Sequence, residues 1–477
     1  MLLIDMDYGE KIRAHGQIRR LSERNGVHRL KKRPSRRITY VVVSAICLLL
    51  FWLTHRSSEY TSKRRTWSIA NHGGAHEQSN HELPCRNMPG ANETLVILKT
   101  GSTEIQDKLP VHLNTTLRCF PHYMIFSDYE EEFKGYHIYD ALEHVNPNIK
   151  ASHADFALWR RLQEGGRAAL QPHELSGTAA RAGSNFGKQD NPGWKLDKWK
   201  FLPMVNRTLA EYPNMRWYVF VEVDTYILSQ TLHNYLNTLD WQKSYYIGGQ
   251  IWIGDILFAH GGTGFAVSRP AMEKVVKEFQ QNQESWESFT DIHWAGDCIL
   301  GKAFADSGTP LTQAWPIWQG DDIGKMTYDR AEGSHRLWCA PTVSYHHLTP
   351  SVVQDMWDWE MSWIKNTSDY SKILHHKDVY REYVLPRITE ARKDWNNHAD
   401  QDHGPVDDLE TCRAICVKLE NCLQYMLNHD ARCMIGQTPN LGEKMKGVES
   451  GWMSDRLRVF YDMQNPCRNG GEAFIVT

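Results

Sequence analysis

Residues 217–228 read WYVFVEVDTYIL, a hydrophobic run that ends in two carboxylates separated by a single valine. Just beyond it, apolar residues recur at helical spacing, at Leu228, Leu232, Tyr235, Leu236 and Leu239. Glu222 and Asp224 therefore lie between a buried strand and an amphipathic helix. Ligands of open α/β sheets bind at the carboxyl ends of the strands. The two side chains are candidate ligand-binding residues, with a cap or a solvated turn as the alternative.

Two segments upstream also predict buried strands. LVILK at 95–99 is followed by Thr100 and a glycine, and HYMIFSD at 122–128 likewise ends in polar residues. Residues 161–193 are rich in Gly, Ala and polar side chains, so we expect a loop-rich insertion there, followed by a helix. This order of elements favours an α/β fold built on a mostly parallel sheet flanked by helices.

Three segments downstream add candidate functional residues. They are GGTGF with Gly261 and Gly262, WAGDCILGKAF with Asp297, and SYHH with His346 and His347. Each has an ordinary structural explanation: a glycine turn, a helix cap, and a pair of core or surface histidines. Their order after the two carboxylates, rather than any single motif, supports a functional interpretation.

These residue types suit a divalent cation that holds a diphosphate. The carboxylates of Glu222 and Asp224 and an imidazole such as His346 would leave coordination positions open for phosphate oxygens. Main-chain glycines at 261 and 262 would let a sugar or phosphate approach closely. Asp297 would act as general base toward an acceptor hydroxyl. The pattern predicts group transfer from a nucleoside diphosphate.

The N-terminus predicts a membrane anchor. Residues 1–37 hold 11 Lys and Arg against 4 Asp and Glu, and residues 38–53, ITYVVVSAICLLLFWL, contain no charge. The basic flank places the tail in the cytosol and the rest of the chain across the membrane. A signal peptide is the alternative, but no cleavage-site pattern follows the apolar run. Since the net charge is −3, the remainder is acidic, which gives no support for nucleic-acid binding.

The segments after the anchor agree with a lumenal position. Sequons of the form Asn-x-Ser/Thr occur at Asn92, Asn114, Asn206 and Asn366. Residues 55–84 are polar and predict a stem. Nine of the ten cysteines lie beyond the anchor, where disulfides are expected. The odd number leaves either a free thiol or a disulfide to another chain, as in a homodimer.

A separate disulfide-rich α+β module is expected at the C-terminus. The segment DLETCRAICVKLENCLQYMLNHDARC holds four closely spaced cysteines, as disulfides or, alternatively, as zinc ligands. The expected organisation is a cytoplasmic tail at 1–37, an anchor at 38–54, a stem at 55–84, a main domain at 85–400 and the module at 401–477.

From about residue 95 to residue 350, these motifs in this order resemble glycosyltransferase family 31, the fringe and core 1 beta-1,3-galactosyltransferase group. VILKTGSTEIQDKLPVHLNTTLRC resembles the family's opening strand and helix, and WYVFVEVDTY resembles W-F-x-K-x-D-D-D-T-Y. GGTGFAVSRPAM resembles G-G-x-G-Y-x-x-S, GDCILGKAF resembles E-D-V-x-x-G, and SYHH resembles S-F-H. This chain has E-V-D in place of D-D-D and G-D-C in place of E-D-V.

The resemblance implies a GT-A type nucleotide-sugar-binding fold and an inverting hexosyltransferase of the Golgi membrane that uses Mn2+. It implies a UDP-sugar donor of the galactose or N-acetylglucosamine type, a glycan or glycoprotein acceptor, and a beta-1,3 link. By position, it assigns metal binding to Asp224, Glu222 and His346 and catalysis to Asp297. It places Thr100, Arg118, Lys200, Glu222, Gly261 and Gly262 near the nucleotide sugar.

The C-terminal segment resembles a PAN/apple module, which implies the disulfides Cys412–Cys433 and Cys416–Cys422. Such a module would hold an acceptor glycoprotein near the site, or else act as a stabilising appendage. Two other functions remain open. The loss of D-D-D favours a catalytically silent relative that acts as a chaperone or carbohydrate-binding protein, and the module alone would suit a surface receptor.

Overall fold

The computed structural model describes residues 83–175, 191–332, 335–464, 467 and 472–474. The expected tail, anchor and nearly all of the stem lie outside these residues. Among the helices that are described, none is both long and apolar enough to cross a membrane. All described residues belong to one structural unit, Gly73–Thr477.

The strands and helices of the described residues are numbered along the chain. The strands are β1 (Thr94–Lys99), β2 (His122–Ser127), β3 (Glu131–Phe133), β4 (Tyr136–Asp140), β5 (Trp217–Glu222), β6 (Tyr226–Ile227), β7 (Tyr246–Gly248), β8 (Gln250–Ile253), β9 (Ile256–Ala259), β10 (Phe265–Ser268), β11 (Leu311–Gln313), β12 (Ala331–Glu332), β13 (His335–Arg336), β14 (Ser344–Tyr345), β15 (Arg392–Asn396), β16 (Gln401–Pro405), β17 (Gln424–Leu427), β18 (Arg432–Gly436) and β19 (Glu443–Trp452). The helices are α1 (Ile105–Asn114), α2 (Pro147–Ser152), α3 (Ala157–Gly165), α4 (Pro192–Glu211), α5 (Ser229–Asn237), α6 (Arg269–Gln281), α7 (Gln283–Ile292), α8 (Gly296–Asp306), α9 (Pro350–Thr367), α10 (His376–Val379), α11 (Leu409–Lys418) and α12 (Ser454–Gln464).

The main sheet has the strand order β11-β7-β10-β5-β1-β2-β4-β3. β1 lies between β2 and β5 and is parallel to both, and β4 continues parallel to β2. β10 runs antiparallel between β5 and β7, and β3 is antiparallel to β4. The predicted parallel-rich sheet is confirmed. Parallel strands covered on both faces need continuous apolar sequence, which LVILK and WYVFV provide.

Alternate residues of the two central strands face two separate cores. One core contains Val96, Leu98, Val219 and Val221 and is covered by α1, α5 and α9; the other contains Leu95, Ile97, Tyr218 and Phe220 and is covered by α4, α6 and α8. Both faces of β1 and β5 are thus buried, and these strands become charged where they end, at Lys99 and Glu222.

The loop-rich insertion expected at 161–193 is partly helical. α3 continues to Gly165, and 3₁₀ turns follow at Gly166–Ala169 and Pro172–Glu174. The helix forms because Leu158 and Leu162, one turn apart, pack in a small core with α4. Residues 176–190 of the insertion lie outside the described residues.

The C-terminal sheet has the order β15-β19-β17-β18-β16, with α11 packed against it. The disulfides Cys412–Cys433 and Cys416–Cys422 confirm the predicted pairing and exclude the zinc alternative. β15 joins this sheet although it precedes residue 401, because Arg392 pairs with Ser450 of β19.

This sheet shares a core with the main domain. Leu441, Trp452 and Leu457 pack in one cluster with Tyr226 and Trp338. A disulfide between Cys339 and Cys467 links the same regions covalently. Among the cysteines that the structure describes, Cys298 is the free one, and it is buried, so this thiol gives no support for a disulfide-linked dimer.

Candidate functional site

The carboxyl ends of β1 and β5 bring Lys99 and Glu222 side by side. The two residues are register partners, and Lys99 Nζ lies 3.1 Å from Glu222 Oε1. Lys99 Nζ also donates a hydrogen bond of 2.7 Å to Asp197 of α4. Burial alone would lower the pKa of Lys99, but Asp197 and Glu222 outweigh it and hold the pKa above its ordinary value. The ammonium therefore stays charged.

Thr100 and Lys200, predicted to lie near the nucleotide, join this network. Lys200 Nζ donates a hydrogen bond of 2.9 Å to the Thr100 carbonyl and lies 3.5 Å from Asp197 Oδ1. Three buried polar atoms beside them have no hydrogen-bond partner within the described residues: Thr100 Oγ1, Ser102 Oγ and Asp128 Oδ2. Since buried polar groups are normally hydrogen-bonded, the ends of β1 and β2 offer a polar ligand unused donors and acceptors.

A short antiparallel pairing carries the distant histidines to Asp224. β6 pairs with β14 so that Tyr226 lies opposite Tyr345, and the Leu348 N–H donates to the Asp224 carbonyl at 2.9 Å. His346 Nε2 consequently lies 3.3 Å from Asp224 Oδ1. The sequence between these strands spans more than 100 residues, so only the fold brings the two side chains together.

Asp224, His346 and His347 form a cluster with metal-ligand spacing. One ligand atom from each lies within 4.8 Å of the others. His347 has φ of 58°, an uncommon backbone conformation for a residue with a Cβ. One carboxylate and two imidazoles are a donor set that binds divalent first-row cations. The residues therefore fit a metal such as Mn2+, with His347 as an unpredicted member.

The protonation states of this cluster are set by its neighbours. Burial alone would raise the pKa of Asp224, but Lys108 and His346 hold that pKa well below its usual range. Burial and the neighbouring His346 lower the pKa of His347 to about 3, which leaves a neutral imidazole able to bind a metal. Asp224 is thus ionised at neutral pH and presents a carboxylate.

Lys108 of α1 supplies a second permanent positive charge. Its Nζ lies 3.3 Å from Asp224 Oδ2 and 3.0 Å from Glu104 Oε2. Burial alone would lower the pKa of Lys108, but Glu104 and Asp224 outweigh burial and raise it. Two ammonium groups, of Lys99 and Lys108, thus lie between the carboxylates of the site.

The glycine turn packs between the carboxylates and the histidine. A Cβ on Gly262 would lie 2.0 Å from His346 Cε1, so the hydrogen of glycine leaves the space that the imidazole occupies. A Cβ on Gly261 would lie 2.8 Å from Glu222 Oε1 and 3.4 Å from Asp297 Oδ2. The turn thus brings Glu222 and Asp297 to one point on the main chain.

Asp297 lies in the first turn of α8 and faces this turn. The Gly261 N–H donates to Asp297 Oδ2 at 2.8 Å, which fixes the carboxylate. Burial raises the pKa of Asp297, while His260 and the hydrogen bond from Gly261 act in the opposite direction. A carboxylate with a raised pKa is a stronger proton acceptor, as general-base catalysis requires.

Arg118 does not join the site, contrary to the prediction. It lies just before β2 begins, at the edge of the sheet opposite to the strand ends that carry the site. Its guanidinium lies over the Trp357 ring, 5.5 Å from the centroid, and the next residue forms the disulfide Cys85–Cys119. The physical reason is direction: a residue before a strand and one after its parallel neighbour lie at opposite edges.

Glu222 is likewise outside the Asp224 cluster, although it was predicted as a metal ligand. Its carboxylate lies beside Lys99, and the third residue of the cluster is His347. The valine next to it, Val223, is 3% exposed and packs with Val219 and Val221. Side chains of extended chain alternate between faces, so Val223 points into the core and not into the site.

Lys99, Lys108 and Asp197 complete the site without having been predicted as functional residues. His347 was a candidate with His346 but was not predicted as a metal ligand. A lysine that ends the apolar run LVILK is a detectable signal, because a buried strand rarely ends in a cation without a partner. His347 directly follows His346 and could have been included with it. Nothing in the sequence marks Lys108 or Asp197 as a site residue, because each is one charged residue among others on an ordinary helix.

Residues 195–347 match a protein-family model described as Fringe-like. The matched range runs from α4 through β14 and ends at His347, so it includes Asp197, Glu222, Asp224, Asp297 and His346. The comparison with curated proteins gave no match. The Fringe-like match supports a fringe-type family for this region and a glycosyltransferase-type function, with a sugar donor and a glycan acceptor.

Proposed function

We propose that the chain is an inverting UDP-sugar glycosyltransferase with a GT-A type fold that transfers a hexose, of the galactose or N-acetylglucosamine type, to a glycan or glycoprotein hydroxyl. The linkage proposed is beta-1,3. One observation carries the proposal: Asp224, His346 and Asp297 meet around the turn Gly261–Thr263, at the carboxyl ends of β1 and β5. The Fringe-like match over the same segments supports it.

The donor nucleotide is proposed to lie beside Thr100 and Lys200, where buried polar atoms have no partner. Lys99 and Lys108 keep their positive charge next to the carboxylates, which offsets the repulsion that these carboxylates would exert on an anionic ligand. Asp224, His346 and His347 would hold a divalent cation such as Mn2+. When bound, the cation would offset negative charge on the departing diphosphate.

Asp297 is proposed as the general base. It would take the proton of the acceptor hydroxyl, whose oxygen then forms a bond to the anomeric carbon while the bond from that carbon to the diphosphate breaks. UDP leaves with the electron pair, and the displacement inverts the anomeric centre. The Gly261 N–H holds one carboxylate oxygen at 2.8 Å, which keeps the group oriented for this transfer.

We further propose a type II protein of the Golgi membrane with a lumenal catalytic domain. The basic tail and apolar segment 38–54 support the orientation. Three of the sequon asparagines, Asn92, Asn114 and Asn366, are exposed and accessible to glycan addition. The PAN/apple-like role of the C-terminal module, holding an acceptor glycoprotein, stays a proposal, as does a homodimer.

The proposal is tested with a fragment starting at residue 83, assayed for UDP binding and for hydrolysis of UDP-sugars. With Mn2+, UDP should raise the thermal midpoint, because ligand bound to the native state stabilises it. Asp224→Ala should abolish this shift. Asp297→Asn should keep the shift and lower the rate of UDP-sugar hydrolysis about 100-fold or more, because water then lacks the general base that an acceptor hydroxyl would use. Thermal unfolding in the absence of ligand verifies that each variant is folded.

A matched control is Asp306→Ala, at the other end of α8, where an exposed aspartate pairs with Lys302. It should bind UDP and turn over as the wild type does. A folded wild-type protein that shows neither a UDP shift nor hydrolysis of any UDP-sugar would contradict the transferase proposal and favour a silent relative.

A further inference from the structure

An open cavity lies along one face of α9 and includes none of the residues of the candidate site. Its volume is about 360 Å³, within the range of about 300–1,000 Å³ that is usual for small-molecule sites. Four residues of the helix that line it follow the spacing i, i+3, i+4 and i+7, which puts side chains on one face: Trp359, Ser362, Trp363 and Asn366. Lys372 and Glu382 contribute from the segments that follow α9. The cavity therefore offers two indole rings together with polar and charged side chains.

Contacts with the core hold both indoles in place. Trp359 packs against Tyr383, with ring centroids 5.6 Å apart and planes at 64°. Trp359 and Trp363 are both half-buried against the core that is shared with the C-terminal sheet. The backbone of Lys372 is fixed as well, because Gln230 Nε2 of α5 donates a hydrogen bond of 2.7 Å to its carbonyl. The walls of the cavity are thus preorganised for a ligand.

The same face of α9 carries an acceptor for N-glycosylation. Asn366, Thr367 and Ser368 form a sequon, and the side chain of Asn366 is exposed. In an α-helix each Cα–Cβ bond tilts toward the N-terminus, so a side chain covers the turn that precedes it. Trp363 lies one turn before Asn366, and Trp359 lies one further turn back. A sugar attached to Asn366 Nδ2 would therefore be directed into the cavity, toward the two indoles.

We propose that this cavity holds the first N-acetylglucosamine of an N-glycan on Asn366, with one face of the sugar against Trp363. This inference rests on the lumenal orientation proposed above. The C–H groups on a pyranose face carry partial positive charge and are attracted to the negative face of an indole. The covalent link gives the sugar a high effective concentration at the cavity, so a contact too weak to capture free sugar stays formed. Ser362, Lys372 and Glu382 would bond the polar groups around the sugar edge.

The test measures how fast peptide N-glycosidase F releases each glycan from the native full-length chain, made in a secretory host and solubilised in mild detergent. This enzyme cleaves the bond between asparagine and the first sugar and leaves aspartate, which mass spectrometry of peptides quantifies at each sequon. Release at Asn366 should be about tenfold slower or more than at Asn92 and Asn114, which do not line the cavity, because the docked first sugar is shielded. After denaturation the three rates should be alike.

Variants of α9 show whether the cavity causes the protection. Trp363→Ala should raise the rate at Asn366 to that of the other two sequons, and Trp363→Phe should restore part of the protection because an aromatic face remains. Ser362→Arg, at an exposed position, should also abolish the protection, since it fills the cavity without opening the core. The matched control is Asp358→Arg, at an exposed position of α9 outside the cavity, which should leave the protection unchanged.

Equal release rates at the three sequons of the native wild type, or protection that persists in a folded Ser362→Arg protein, would overturn the proposal. Glycans at Asn92 or Asn114 with none at Asn366 would overturn it alone and leave the lumenal orientation supported. A chain without glycans at any sequon would contradict the lumenal orientation as well. The Mn2+-dependent UDP shift, measured on the same protein, separates each of these outcomes from failure of the transferase proposal.

Discussion

Val223 is the residue at which the chain departs from the acidic motif that it resembles, and its side chain belongs to the core. It packs with Val219 and Val221 on the α1 side of the sheet, and its carbonyl oxygen lies 2.9 Å from His112 Nε2. The valine therefore removes no charge from the face that carries Lys99 and Glu222. Whether the chain is a catalytically silent relative is therefore decided by the UDP assay and not by the position of Val223.

We predict that Val223→Asp destabilises the protein by about 3 kcal/mol or more, because it buries an unpaired charge in an apolar core. It should bring no gain in hydrolysis of a UDP-sugar. Denaturant unfolding at pH 7 measures the change. Val459→Asp, at a valine that is 56% exposed, should stay within about 0.5 kcal/mol of the wild type. Equal stability of the two variants would place Val223 at the surface after all.

The inward direction of Val223 was visible in the sequence, because side chains of residues 217–223 alternate between the two faces of the strand. Trp217, Val219, Val221 and Val223 form one set, and a strict period of two would have placed the valine in the core. The position of Arg118 was not accessible in the same way, because resemblance gives the order of residues along the chain and not the edge of the sheet at which they lie.

Helix α9 fixes strand β6 through a buried carboxylate. Glu360 is 1% exposed, and its carboxylate accepts hydrogen bonds from the Tyr226 hydroxyl and, at 2.8 Å, from Ser229 Oγ. Because β6 pairs with β14, this contact supports the pairing that brings His346 to Asp224. Burial raises the pKa of Glu360 and the hydrogen bonds from Tyr226 and Ser229 lower it, and the net pKa is about 7 against an ordinary 4.5.

We predict that Glu360 makes folding less favourable as pH rises from about 4.5 to about 7. In that window the unfolded chain has released the proton while the folded protein retains it, so the unfolded state is favoured; above it the cost is constant, at roughly 3 kcal/mol. Glu360→Gln removes the titration. Its thermal midpoint relative to the wild type should therefore be higher at pH 8 than at pH 5.

The matched control is Asp358→Asn, on the exposed side of the same helix, where Gln354 donates to the aspartate. Its midpoint relative to the wild type should not change over this range. A Glu360→Gln difference that is also flat with pH would show that the carboxyl titrates normally in the folded protein.

The elements themselves were mostly predictable, and their pairing was not. β1, β2 and β5 follow from apolar runs with polar ends, and α5 follows from its leucine spacing. The two-residue strands β6 and β14 are too short for any periodic signal, yet they position the histidines. The sequence therefore indicated candidate site residues more readily than the way in which the fold brings them together.

Residues on both sides of the boundary expected near residue 401 pack in one core. Leu441, Trp452 and Leu457 complete a core that contains Tyr226, Ile323 and Trp338. Lys325 Nζ lies 3.2 Å from Glu443 Oε1, and the Gly442 N–H donates to the Gly324 carbonyl at 2.8 Å. The loop that precedes β14 is thus buttressed by the C-terminal sheet.

We predict that a fragment of residues 83–400 will not fold cooperatively, because its truncation leaves this core open and removes the partner of Cys339. The fragment 83–477 should unfold in a single calorimetric transition. Differential scanning calorimetry of both fragments measures this. Two separate transitions for 83–477, or a soluble and active 83–400, would show that the C-terminal part is an independent appendage.

The bond between Cys339 and Cys467 also has a consequence for the order in which the chain is made. The two cysteines are 128 residues apart, and ribosomes add about 5–20 residues per second. For roughly ten seconds, the half of the core around Trp338 emerges with its closing residues not yet synthesised. During translation this open core is exposed to aggregation and to formation of a wrong disulfide. A premature stop codon before Cys467 should therefore prevent folding and not merely shorten the chain.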